Sequence, residues 1–257
     1  MIAAANAARI LAAARLSGHT VEPFSDTESG LTEDWGYAVQ DEDHRSRVAD
    51  GERTIGAKLG LTSRAKQRRM GVDTPIVGFL TDAMLFEAAR VTRELHRWVQ
   101  PRIEPEIVFV TAQDISAPIT LDEAAMLVDS VTVGAEILDS RFTDYRFGLG
   151  DVIADNTSAA GVLLGSPHRL DRIGALASLS CAVEVDGAVV HEAAGSAVLG
   201  DPLRSLVLLA EHVAACGNVL AAGSLVLAGA MTDAVPLRTG HTYSLRVDTL
   251  GSLDFAT

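Results

Sequence analysis

Three glutamates and one lysine break into otherwise apolar runs, and their types and spacing suit metal-dependent chemistry. In Arg102-Ile103-Glu104-Pro105-Glu106-Ile107-Val108-Phe109-Val110 the pattern reads as a strand. Side chains alternate faces along a strand, so Glu104 and Glu106 point the same way, roughly 6–7 Å apart. Two like charges at the head of a buried strand push at least one of the pair toward protonation unless a cation lies between them. A divalent metal resolves that conflict, and hard carboxylate oxygens suit Mg²⁺ or Mn²⁺. The alternative is a pair of solvent-facing glutamates on an edge strand, with Pro105 marking the edge. Glu136 interrupts a second apolar run, Val131–Leu138, where an unpaired carboxylate is costly to bury. Three carboxylates on two strands make a site with open positions for water or substrate. Asp139 is near enough to substitute, although it points to the opposite face.

Lys58 sits among small and apolar neighbours in Ile55-Gly56-Ala57-Lys58-Leu59-Gly60-Leu61-Thr62-Ser63. Beside three carboxylates its ammonium is held charged and can bind a substrate carboxylate or an enolate oxygen. The plainer alternative is a surface lysine with its stem along apolar neighbours. Asp155-Asn156-Thr157-Ser158 follows the apolar Val152-Ile153-Ala154. Such a cluster is often only a turn, yet Asn and Ser can also aim hydrogen bonds at an oxyanion. The seven histidines form no HxH or HxxxH pair, and Ser63 lacks a nucleophile elbow, so triad chemistry is a poor fit.

The elements that must position these residues follow from local pattern. Residues 2–16 read as a helix closed by Gly18, and 32–49 as a second helix with a weaker cap at Thr32. Thr54–Leu61 reads as a strand and Ala65–Met70 as a basic helical turn. Thr120 and Glu123 form a capping box for a helix running to about Ser130, followed by the strand Val131–Leu138. Asp186-Gly187 joins the strands Cys181–Val185 and Ala188–Glu192 as a hairpin. Asp201 and Pro202 open a helix that Gly217 ends. Ser224–Gly229, Thr242–Val247 and Ser252–Phe255 are further strands. Strands and helices do not alternate regularly, which argues against a doubly wound parallel sheet. The expected fold is α+β, with a helical N-terminal part over residues 1–52 and a strand-rich catalytic domain over 53–257 built on a curved mixed β-sheet.

Composition removes several classes of function. The chain of 257 residues carries 34 acidic against 21 basic side chains, a formal charge of −13. That acidity opposes a nucleic-acid partner or an anionic membrane surface. No apolar run approaches a membrane span, and Arg9 and Arg15 interrupt the Ala-rich N-terminus where a signal peptide would be unbroken. Cys181 and Cys216 match no zinc spacing and are read as buried thiols in a reducing cytoplasm. There is no Gly-rich phosphate loop.

Taken together, Gly56–Ser63, Met70-Gly71-Val72-Asp73-Thr74-Pro75, Arg102–Glu106, Ala135–Arg141, Ala154–Ser158 and Leu199-Gly200-Asp201-Pro202 resemble the fumarylacetoacetate hydrolase superfamily. Within it they resemble the hydratase/decarboxylase branch of aromatic meta-cleavage pathways, over nearly the whole chain. Met70–Asp82, Ile137–Ser158 and Pro105 are more similar to the 4-oxalocrotonate decarboxylases than to the 2-hydroxypentadienoate hydratases. The Gly229-Ala230-Met231-Thr232 stretch departs mildly from the family's glycine-rich form.

The resemblance implies Glu104, Glu106 and Glu136 as ligands of Mg²⁺ or Mn²⁺, with no organic cofactor. It implies Lys58, Asp73 and Asp155 as catalytic residues, and Leu61, Thr62, Ser63, Asn156 and Ser158 as substrate-binding residues. The implied reaction is decarboxylation of 2-oxo-3-hexenedioate to 2-hydroxy-2,4-pentadienoate, helped by an apolar region near the departing carboxylate. The alternatives are hydration of 2-hydroxypentadienoate, an acylpyruvate-type hydrolysis, or a non-catalytic partner subunit of the hydratase. A homo-oligomer and a complex with the pathway hydratase are the implied partners.

Overall fold

The computed structural model describes residues 1–257. Two N-terminal helices, α1 (Ala4–Ser17) and α2 (Glu33–Ala49), pack through Ala7, Ala8, Leu11, Trp35 and Val39 onto Phe142 and Ala154 further along the chain. Thr32 does cap α2: its Oγ1 accepts the Trp35 N–H at 3.2 Å without a reciprocal acidic partner. On the far side of α2, Tyr37 Oη accepts the Val77 N–H, and Gln40 Nε2 donates to the Val77 and Ile153 carbonyls.

The chain then runs β1 (Thr54–Gly60), α3 (Arg64–Met70), β2 (Ile76–Thr81), α4 (Ala88–Glu94), β3 (Arg102–Thr111), α5 (Leu121–Met126) and β4 (Val128–Leu138). It continues through α6 (Leu149–Ala154), β5 (Ala159–Leu164), β6 (Ser180–Val185), β7 (Ala188–Ala194) and α7 (Leu203–Ala215). It ends with β8 (Leu225–Ala230), β9 (Val235–Pro236), β10 (Thr242–Val247) and β11 (Gly251–Ala256). The larger sheet has the order β2-β1-β8-β3-β4-β5, with β9 also on β3. Only the β1–β8 pair is parallel, so the sheet is mixed, as the sequence implied. The second sheet, β11-β10-β6-β7, is antiparallel. No helix is long and apolar enough to cross a membrane.

Alternation along the strands sorts the larger sheet into two faces. Ile107 and Phe109 of β3, Val131 of β4 and Val226 of β8 pack under Leu206 and Leu209 of α7. Ile103 and Ile137 pack on Val183, Leu245 and Phe255 of the second sheet. The intervening residues Val108, Leu225 and Leu227 meet Leu80 of β2 and Val162 of β5, the two outermost strands. Those strands approach each other because the sheet curls, and the Phe86 N–H closes onto the Val162 carbonyl at 2.9 Å. Lys58, Glu104, Glu106 and Glu136 share this concave face.

Several local expectations are corrected. The helix at Thr120 stops at Met126, and β4 has begun by Val128, because Val128, Val131 and Val133 suit a pleated surface better than a helix. β2, α6 and β5 lie in stretches where the sequence pattern gave no element. Pro105 does not mark an edge, since β3 lies between β8 and β4. The ring is tolerated because Pro105 faces the gap where β8 gives way to β9; its carbonyl accepts the Met231 N–H there, and no ladder donor is lost. Cys181 is buried, as expected, but Cys216 is exposed at the end of α7.

Candidate metal centre and active site

Register brings the three glutamates together. Glu104 on β3 faces Glu136 on β4 directly, and Glu106 lies two residues along, opposite Gly134. One carboxylate oxygen from each falls within 4.8 Å of the other two. All three side chains are buried, Glu106 and Glu136 completely. β8 adds to the cluster through a bulge. Two steps on β3, Glu106 to Val108, span three on β8, Ala230 to Leu227, and Gly229 takes φ +114°. The bulge turns the Gly229 N–H onto Glu106 Oε2 at 2.8 Å.

Lys58 is buried, at 3% exposure, which settles the surface alternative. Its Nζ lies 3.0 Å from Glu136 Oε1 and donates to the Thr157 carbonyl at 3.3 Å. Glu106 Oε1 and both Glu136 oxygens nevertheless have no hydrogen-bond donor. The Lys58–Glu136 contact is therefore a close charge pair rather than an aligned hydrogen bond. Burial, reinforced by Glu136, pushes the Glu106 carboxyl well above its ordinary range, with Lys58 and the Gly229 N–H acting in opposition. Burial also raises Glu136, against the pull of Lys58. Buried carboxylate oxygens that lack donors in the protein and converge on one point are what a hard divalent cation requires, so the residues fit Mg²⁺ or Mn²⁺.

The turn at residues 156–158 closes one side. Asn156, Thr157 and Ser158 have φ of +48°, +51° and +62°, three consecutive left-handed residues without a glycine. Each such residue costs on the order of 1 kcal/mol or more, so the surroundings must impose the shape. Asn156 Oδ1 accepts the Phe79 N–H and its Nδ2 donates to the Phe79 carbonyl. Gly78, opposite Lys58 in the β1–β2 register, leaves room for this approach; a Cβ there would lie 2.5 Å from Thr157 Oγ1. Thr157 Oγ1 and Ser158 Oγ are buried without partners. Asp155 is not in the carboxylate cluster. It is paired with Arg141, accepting from Nε and, at 2.9 Å, from the backbone N–H. Burial pushes its carboxyl up to about 6 despite that partner. Asp139 is also excluded, because its oxygens accept the Val99 and Gln100 N–H groups.

The remaining expected residues lie on and around α3, beside a cavity that Lys58 and the three glutamates do not line. Leu61 is half-buried at φ +58°, and Ser63 Oγ caps α3 by accepting the Lys66 N–H. Thr62 is buried against Gly229 and lines a cavity of about 1060 Å³ between α3 and α7. Asp73 is exposed in the wall of that cavity, together with Arg64, Arg68 and Arg204. The wall is mixed in charge, with Glu211 and Asp73 set against the three arginines.

The profile of the family described as fumarylacetoacetate (FAA) hydrolase C-terminal matches residues 53–256. The chain belongs to the fumarylacetoacetate hydrolase family. Among its relatives in that family, a 4-oxalocrotonate decarboxylase from Pseudomonas sp. is 41% identical over 211 residues, 82% of this chain and 81% of the relative. A 2-keto-4-pentenoate hydratase from Burkholderia vietnamiensis (strain G4 / LMG 22486) is 36% identical over 250 residues, 97% of this chain and 95% of the relative. The solved structure of 4-oxalocrotonate decarboxylase from Pseudomonas putida G7, complexed with magnesium and adipate, superposes with a TM-score of 0.90 at 32% identity, covering 98% of this chain and 96% of that one. The curled mixed sheet is thus the fold of the fumarylacetoacetate hydrolase C-terminal domain.

Besides Gly229, whose backbone N–H reaches Glu106, two residues of this centre were missed in the sequence. Thr157 contributes a backbone carbonyl, for which residue type gives no signal. Lys66 donates from Nζ to Glu104 Oε1 at 2.9 Å. Burial works against its ammonium, but the Glu104 carboxylate outweighs it and raises the lysine above its ordinary value. A signal for Lys66 was available, because the chain contains only two lysines, Lys58 and Lys66, among its 21 basic residues.

Proposed function

We propose that the chain is a metal-dependent carbon–carbon lyase that decarboxylates 2-oxo-3-hexenedioate (4-oxalocrotonate) to 2-hydroxy-2,4-pentadienoate. The observation that carries this reading is the set of donorless carboxylate oxygens on Glu106 and Glu136 beside the buried Lys58 ammonium. The decarboxylase relatives and the magnesium-containing decarboxylase structure support it. Glu104, Glu106 and Glu136 would hold Mg²⁺ or Mn²⁺, and no organic cofactor is needed. Bound there, the cation supplies Lewis acidity toward the carboxylate and 2-oxo oxygens of the substrate.

The protein's own groups do the rest. In 2-oxo-3-hexenedioate the distal carboxylate is vinylogously β to the ketone, so the electrons released with CO₂ run through the double bond to the 2-oxo oxygen. Lys58 Nζ is placed to stabilise the charge on that oxygen and to pass it the proton that completes the 2-hydroxy dienoate. Ser158 Oγ and Thr157 Oγ1 offer free hydroxyls along the same wall. Asp155 acts through Arg141 and Asn156 through Phe79, both holding the left-handed turn against Lys58. Leu61, Thr62 and Ser63 shape the entry, and Asp73 handles protons at its rim. Arg64, Arg68 and Arg204 outnumber Asp73 and Glu211 in the cavity wall, a modest positive excess that favours an anionic substrate.

The hydratase relative, matched over nearly the full chain, supports a second reading: addition of water to 2-hydroxypentadienoate at the same centre. Homo-oligomerisation, association with a hydratase that consumes the dienol, and a cytoplasmic location complete the proposal. Incubation with Mg²⁺ and 2-oxo-3-hexenedioate should release CO₂ and transiently build dienol absorbance. Rapid formation of 4-hydroxy-2-oxopentanoate from 2-hydroxypentadienoate, with no CO₂ from the diacid, would transfer the assignment to the hydratase.

A further inference from the structure

The chain uses arginine for nearly every cationic task, and its only two lysines converge on one carboxylate cluster. Lys58 pairs with Glu136 and Lys66 with Glu104. The two lysines are not equivalent. Lys58 is fixed in the floor of the site on β1, with its side chain 3% exposed. Lys66 projects from α3, the short helix bordering the cavity, and its side chain is 32% exposed. One is walled in, whereas the other reaches solvent.

The charge balance gives that difference a purpose. With all three carboxyls ionised, three carboxylates against two ammoniums leave the cluster with one formal negative charge. A divalent cation reverses this to one positive charge, and the site then attracts an anion. The electron density that Glu104 Oε1 gives to Lys66 is drawn away from a cation, so the two compete for that carboxylate. We propose that Lys66 is an exchange residue: it neutralises Glu104 until a divalent cation takes that carboxylate, and the released ammonium then binds a carboxylate oxygen of the incoming 2-oxo acid. The second half of this exchange rests on the lyase reading above, whereas the first half does not.

Residue chemistry favours lysine in this role. An ammonium on a flexible four-carbon stem can swing between two acceptors, whereas the planar fork of arginine grips a carboxylate with two parallel hydrogen bonds. Every other basic side chain is an arginine, so a lysine at position 66 is not a reflection of general usage.

The test is calorimetry on Lys66→Met and Lys66→Arg, with Mg²⁺ alone and then with the unreactive 2-oxoadipate at saturating Mg²⁺. Removal of a competing, partly exposed ion pair should tighten Mg²⁺ binding by Lys66→Met by about fivefold. Loss of a charged hydrogen bond should weaken 2-oxoadipate by about tenfold in the same variant. Lys66→Arg should bind Mg²⁺ more weakly than the wild type, because its fork holds Glu104. Thermal melting of the metal-free variants checks that each is folded, and the two substitutions are independent of each other. Wild-type protein that binds Mg²⁺ but no 2-oxo acid would overturn the lyase reading and the second half of the exchange. Wild-type protein that binds both ligands, with both constants unchanged in Lys66→Met, would overturn the exchange and leave the lyase reading intact.

Discussion

Two sets of buried charges are built on opposite principles. Arg141 and Asp155 form a balanced pair, with the carboxylate oxygens taken up by the Arg141 guanidinium, its backbone N–H and Ser140 Oγ. The cluster of Glu104, Glu106 and Glu136 is unbalanced even with Lys58 and Lys66 beside it, and three of its oxygens have no donor. A pair satisfied from within the protein holds structure. A cluster left unsatisfied at the same depth costs stability unless a ligand completes it, so its retention is explained by binding. The two are mechanically linked, since Asp155 anchors the turn whose Thr157 carbonyl accepts from Lys58.

The sharpest way to break this contrast is to substitute within each set. Glu106→Gln should lower CO₂ release by about 10³-fold or more, because several kcal/mol of Lewis-acid stabilisation depend on the cation it helps hold. The metal-free protein should melt no lower than the wild type, since a neutral amide of the same shape replaces a carboxyl that is costly to bury ionised. A marked drop in melting temperature would show that Glu106 is structural. Arg141→Met should do the reverse and destabilise the fold by about 3–5 kcal/mol in denaturant titration, the cost of leaving one partner of a buried pair alone. Lys58→Met should reduce turnover by roughly 10²-fold while leaving Mg²⁺ affinity within a few-fold, as measured by steady-state kinetics and calorimetry. Near-normal turnover would make Lys58 a bystander.

The smallest effect concerns pH. Burial raises Asp155 from 3.8 to about 6 in the folded protein. The folded state therefore holds a proton that the unfolded chain has lost over that window. The Asp155 contribution to stability is present below about 4 and is lost as pH rises through about 6. Chemical denaturation of wild type and Asp155→Asn across this range should give a difference that narrows as pH rises. A difference that widens with pH would show that Arg141 outweighs burial and holds the carboxyl low.

The glutamates and Lys58 were legible because each is a charge set in an apolar run, a contrast visible within a few neighbouring residues. The curved mixed sheet was legible from the irregular succession of strands and helices. What escaped depends on distant partners. β2 and β5 are short, apolar strands whose identity comes from pairing with β1 and β4. The bulge at Gly229 exists only against Glu106, and Pro105 is tolerated in a central strand only because β8 ends beside it. The link from Lys66 to Glu104 spans 38 residues and depends on α3 folding over the sheet.

The position of β8 dictates an order of assembly. β1 with β2, and β3 with β4 and β5, are pairings between neighbours in the chain, and each half can zip up early. The strand that joins the halves is Leu225–Ala230, which is synthesised long after both. Until it arrives, β1 and β3 each present an open edge at the centre of the future sheet, a template for pairing with another chain. A nascent chain stalled before residue 225 is therefore at its most vulnerable to aggregation.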